Sequence, residues 1–63
     1  MNEYRQNLAD RMIDIYGLEN PIVVDFVRMC EEWEVNDWND SILRILVEVH
    51  EDDPIYDEDE EEN

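Results

Sequence analysis

The apolar residues Ile22, Phe26, Met29, Cys30 and Trp33 fall at positions i, i+4, i+7, i+8 and i+11, and Trp38, Ile42, Ile45, Leu46 and Val49 repeat those offsets. A period near 3.6 residues puts each set on one stripe of an α-helix. The two stripes are separated by only four residues, Glu34 to Asp37. Such a pair restricts the chain to two helices joined by a tight corner, with the N-terminal third left to cover them.

The punctuation agrees with that reading. Asn20-Pro21 is a helix start, with Asn as N-cap and Pro at N1, where its missing N–H costs nothing. The second helix is expected over 21–33. The β-branched run Ile22-Val23-Val24 could instead begin a strand, but the cap and the helical period argue against it. Asn36 or Asp37 can cap a third helix over 37–51, which Asp53-Pro54 ends because the residue before proline disfavours the α region. Residues 2–16 read as a first helix: Tyr4, Leu8, Met12 and Ile15 share one face, and Gly17 supplies a left-handed C′ position. The expected fold is all-α, a three-helix bundle over residues 1–53 followed by an acidic tail over 54–63. The DEDEEEN block of that tail is a like-charge run of the kind that stays disordered.

The stripes carry an expectation about the core. Trp33 and Trp38 end two matching stripes, and at least one of them should close the corner from inside, the alternative being an exposed contact of the kind tryptophan favours. Leu43 and Val47 form a second, narrower strip on helix three, and Val23, Val24 and Val27 widen helix two. This is more apolar surface than 63 residues need for one core, so a homodimer or a partner-facing patch would use the excess.

Charge narrows the choice of partner. The chain has 20 acids against four arginines and a net charge of −16. The excess is not confined to the tail: the first 50 residues already carry it. A surface of this kind repels nucleic acid and anionic membranes and attracts basic proteins. No stretch resembles a secretory leader or the ~20 apolar residues of a membrane span. The single cysteine suits a reducing compartment, and the expected location is the cytoplasm.

Chemistry-bearing residues are few. Ser41 and His50 lie on one helix with no third member to orient them, so a nucleophile–base pair is not indicated. Cys30 belongs to an apolar stripe and reads as a buried small hydrophobe. Counting from Asp37, residues Asn39, Ser41 and Glu48 match positions of a calcium loop, but Ile42 stands where that loop needs Gly. His50 and Cys30 lack zinc-ligand spacing. No catalytic residue, metal or cofactor is expected.

What remains is the acidic surface. Asp37, Asp40, Glu48, Glu51 and Asp52 read as a row along the outer face of helix three, interrupted by Arg44. The row spans ~22 Å at 1.5 Å per residue, within about twofold of a nucleic-acid strand's phosphate spacing. Glu31, Glu32 and Glu34 carry it around the corner, while Arg28 sits between Asp25 and Glu32 and reads as locally neutralised. Tyr56, alone among tail acids, is an exposed candidate contact. The bland alternative is a solvated helix face with weak Asp40–Arg44 and Arg44–Glu48 pairs.

The segment IDIYGLENPIVVDFVRMCEEWE, residues 13–34, resembles short acidic proteins of phages and conjugative elements of Gram-positive bacteria. In size and charge the chain is similar to the anti-CRISPR and anti-restriction proteins of that group. The resemblance implies a non-catalytic inhibitor that mimics DNA and occupies a basic DNA- or RNA-binding groove, for example on a Cas9-type nuclease. It carries over no functional residue, since those inhibitors share no motif. Two other readings stay open from sequence: a homodimeric or adaptor-type interaction module, and an antitoxin-like neutraliser of a basic protein.

Overall fold

The computed structural model describes residues 1–55. Three helices follow in order: α1 over Glu3–Tyr16, α2 over Pro21–Glu32 and α3 over Asp37–Asp52. Of the expected tail over 54–63, Pro54 and Ile55 are described, while Tyr56 and the DEDEEEN block lie outside the described residues.

Each helix starts on an asparagine. Asn2, Asn20 and Asn36 are extended N-caps whose side chains accept from the N–H groups of Arg5, Ile22 and Asn39. Each bond satisfies one of the amides that a helix start leaves without a partner. Gly17 ends α1 at φ 93 and ψ 160. That is not the expected left-handed helical conformation but the extended positive-φ region open essentially to glycine alone. A Cβ at this site would meet nothing within 4 Å, so backbone conformation, not space, selects the residue.

Helix α1 is the shared support. Both α2 and α3 pack along it, and their backbones approach each other much less than they approach α1. Arg5 on α1 reaches the end of α2 and the start of α3, and Tyr16 reaches His50 near the end of α3. So α2 runs antiparallel to α1, and α3 parallel to it. The core consists of Leu8, Ala9 and Met12 from α1, Val23, Phe26 and Cys30 from α2, and Leu43 and Val47 from α3. Fully burying a Leu, Val or Phe side chain is worth about 1.5–3 kcal/mol.

The core corrects two expected faces. In α3 the narrower strip is the buried one: Leu43 and Val47 are 0% exposed, whereas Trp38 is 75%, Val49 56% and Ile45 51% exposed. Trp38 therefore does not close the corner from inside, although Trp33 does pack partly buried against the core. In α1, Tyr4 is exposed and its place in the stripe is taken by Arg5, next to Leu8, Ala9 and Met12. The physical reason is shared. Asp40, Leu43, Val47 and Glu51 lie on one side of α3, at i, i+3, i+7 and i+11. Asp40 pairs with Arg5 and Glu51 with Arg11, both on α1. Turning α3 to bury Trp38, Ile45 and Val49 would break both pairs and leave Arg5 buried without its carboxylate.

Candidate functional site: an acidic corner clamped by Arg5

Arg5 is 0% exposed, an unusual position for a charged side chain. Taking a guanidinium out of water costs several kcal/mol unless its donors are used. Here they are. Nε donates to Asp40 Oδ1 at 2.8 Å, Nη1 to the carbonyls of Cys30 at 2.9 Å and Trp33 at 2.7 Å, and Nη2 to the carbonyl of Glu34 at 2.8 Å. The planar fork of Arg suits several acceptors at fixed angles, as the single ammonium of Lys does not.

Those carbonyls sit where α2 ends. A helix C-terminus carries partial negative charge and favours a cation nearby. The last turn of α2 has no basic residue of its own and ends in Glu31 and Glu32, both unfavourable there. Arg5 supplies the missing cation from another helix.

The corner itself, residues 33–36, is pinned from both sides. Asn39 Nδ2 donates to the carbonyl of Glu34 at 2.9 Å, so that carbonyl accepts from both Arg5 and Asn39. Asn36 caps α3 through the N–H of Asn39 at 2.8 Å. The backbone that carries Glu34 is thus held by α1 and α3 together. Loops with this many internal bonds lose little further entropy when they meet a partner.

The expected acidic residues divide accordingly. Asp40 is half-buried and committed to Arg5. Glu51 faces Arg11 bidentately, at 2.9 and 2.7 Å. The Arg11 hydrogen bond holds the Glu51 carboxyl below its ordinary range and raises Arg11 in turn. Glu48 lies 3.9 Å from Arg44, a loose i,i+4 contact between exposed side chains. The row of five carboxylates along α3 is therefore broken by pairing. Glu31, Glu32, Glu34, Asp37 and Asp52 are exposed and make no ion pair among the described residues. Four of these lie at the corner. Arg28, expected to be neutralised locally, is exposed and pairs with neither Asp25 nor Glu32 within 4 Å.

Sequence reasoning missed Arg5. Its signal was present: it stands at i−3 from Leu8 and i−7 from Met12, inside the apolar face. An arginine in that register needs buried acceptors, and a C-terminus lacking a cation offers them.

The remaining chemistry-bearing groups are accounted for. Cys30 is buried, and desolvation raises its thiol pKa, with the Arg5 charge opposing. Tyr16 Oη lies 2.6 Å from His50 Nδ1 and accepts from the Ile55 N–H at 2.9 Å. Ser41 is exposed on the helix that the calcium-loop spacing would have had to replace. Among the described residues no three His, Cys, Asp or Glu side chains converge as a cation site, and no helix is long and apolar enough to cross a membrane. Comparison with protein-family models, curated proteins and solved structures finds no match.

Proposed function

We propose that this chain is a non-catalytic inhibitor of anti-CRISPR type, an acidic nucleic-acid mimic. Its rigid corner would occupy a basic nucleic-acid-binding groove on another protein, a Cas9-type nuclease being the first candidate. One observation carries the reading: Glu31, Glu32, Glu34 and Asp37 are exposed and unpaired on a backbone that Arg5 fixes from beneath. Acids at the end of α2 work against the helix dipole. A fold that keeps them there, and buries an arginine to tolerate them, gives up stability for a negative surface. Carboxylates fit arginine-lined grooves because the guanidinium fork binds carboxylate and phosphate alike. Such nucleases hold their heteroduplex in a positively charged channel.

The reading rests on the acids that the fold leaves unpaired. The corner set Glu31, Glu32, Glu34 and Asp37 carries the contact, with Asp52 and Glu48 as flanking charge. Asp40 and Glu51 hold the fold. The long-range field steers the encounter, and the held corner supplies the specific contact.

The test is inhibition of target-DNA cleavage by a guide-loaded Cas9-type nuclease at about 0.1 M salt, where the Debye length is ~10 Å. The parent chain inhibits, and Glu31→Lys/Glu32→Lys/Glu34→Lys/Asp37→Lys does not. Equal inhibition by the variant removes the acidic-corner mechanism. No inhibition by the parent removes the nuclease.

A further inference from the structure

An apolar groove of ≈ 240 Å³ lies between α2 and α3 above α1. Met12 and Phe26 form its floor, Ile22 and Met29 line its α2 side, and Leu46 lines its α3 side. The outer stripe of α3, with Trp38, Ile45 and Val49 exposed and Ile42 half-buried, continues that surface. From Trp38 to Val49 the stripe runs ~16 Å, three turns of helix. An exposed apolar face of this length, including a tryptophan, is a feature of interaction surfaces.

The charge around this face decides what can cover it. Asp25 lines the groove itself and is exposed. On the helical wheel, Glu32 continues the α2 rim and Asp37, Glu48 and Asp52 flank the α3 stripe. No arginine lies on the stripe: Arg44 falls on the flank beside α1 and Arg28 on the outer side of α2. A second copy would bring this acidic rim against itself, between chains of net charge −16. Of the chain's own end, Ile55 already lines the groove with its N–H held by Tyr16, but residues 57–63, six acids and an asparagine, carry no apolar ridge to cover the rest.

We infer that the α2–α3 groove and the outer stripe of α3 form a docking site for an amphipathic helix of a partner protein, with an apolar ridge flanked by lysine or arginine. The ridge enters between Met29 and Leu46 and spreads onto Ile45, Val49 and Trp38. The basic flanks meet Asp25 on one side and Glu48 and Asp52 on the other. This is the helix-in-groove mode, read by anchors at i, i+3, i+4 and i+7. The surface shares the rim residues Glu32 and Asp37 with the acidic corner, but its apolar groove and stripe lie outside the corner and can fail while the corner reading stands.

The test titrates the full chain by calorimetry with a Leu/Lys peptide of about 14 residues, its leucines at helical spacing. A scrambled peptide of the same composition serves as comparison. Trp38→Gln/Ile45→Gln/Val49→Gln removes the stripe at exposed positions where Gln is a good helix former. Ile45→Gln/Val49→Gln is the milder second variant, and circular dichroism verifies both folds. The corner reversal at Glu31, Glu32, Glu34 and Asp37 is run in parallel. The proposal expects the amphipathic peptide to bind about tenfold or more tighter than the scrambled one, and the stripe variants to lose that advantage while the corner variant keeps it. Equal binding of both peptides, or an advantage retained in the stripe variants, overturns it and leaves the corner reading intact. A dimer of the parent chain in sedimentation, dissociated by the stripe variants, overturns it in favour of a second copy.

Discussion

Replacing Arg5 by Met tests the structural basis of the corner. Met is of similar length and apolar, so the change removes the hydrogen bonds while filling much of the space. Three carbonyls, those of Cys30, Trp33 and Glu34, lose a charged donor, and Asp40 is left unpaired. The Glu34 carbonyl keeps Asn39 Nδ2, so two acceptors are orphaned, and at about 1 kcal/mol each they account for roughly 2 kcal/mol. Asp40 adds less than a buried carboxylate would, because its side chain is 23% exposed and keeps some water. The sum, about 3–4 kcal/mol, falls at the lower end of the usual cost of removing one partner of a buried ion pair. A chain of this size has roughly 3–9 kcal/mol of stability in total, so the variant should sit at or near its unfolding threshold. Its Tm should fall by on the order of 15–30 °C, at 4–8 °C per kcal/mol. Arg5→Lys keeps the charge but not the fork, and should lose about half as much. The assay is urea and thermal unfolding by circular dichroism in 0.15 M and 0.5 M NaCl. A buried pair is little screened, so the Arg5→Met loss should persist at high salt. A loss below about 1 kcal/mol would refute the hub, because the same contacts would then be shown to be replaceable by water.

Three further outcomes follow from the same geometry. Leu43→Ala should cost about 2–5 kcal/mol in urea unfolding, and Ile45→Ala well under 1 kcal/mol; the opposite order would mean that α3 is turned the other way. Glu51 has its folded-state pKa lowered by Arg11, so its pairing contributes stability above the unfolded carboxylate value and loses it as pH falls through the lowered folded one. The Tm difference between the parent and Glu51→Gln should therefore be present at neutral pH, vanish in acid and shrink with salt, as calorimetric scans across pH would show. Cys30 is buried with a raised thiol pKa, so its reaction with a disulfide reagent should track global opening and speed up in Arg5→Met.

Much of the fold was legible in the sequence. The three helices begin and end within one residue of the boundaries expected from Asn20-Pro21, Gly17, Asn36 and Asp53-Pro54, because caps and prolines act locally. The rotation of α3 was not legible. Trp38, Ile42, Ile45 and Val49 make a better apolar stripe than Leu43 and Val47, and periodicity alone selects the better stripe. The observed rotation is the one in which Arg5 and Arg11 reach Asp40 and Glu51 across 35 and 40 residues of sequence, the buried Arg5 pair being the stronger constraint. Side-chain pairing at that separation leaves no periodic trace. For the same reason the acidic row along α3 looked continuous: one-dimensional spacing does not show which carboxylates are paired. The corner residues Glu31, Glu32, Glu34 and Asp37 were legible as a cluster, whereas their support from beneath was not, since it comes from the other end of the chain.

The most direct measurement for the account as a whole is a competition titration. Target DNA and this chain are offered together to a guide-loaded Cas9-type nuclease over a range of salt concentrations. Mutually exclusive binding is the predicted result, with affinity for the chain falling steeply as salt rises and exclusion lost when Glu31, Glu32, Glu34 and Asp37 are reversed to Lys. Simultaneous binding of chain and DNA, or exclusion unchanged in the reversed variant, would contradict it.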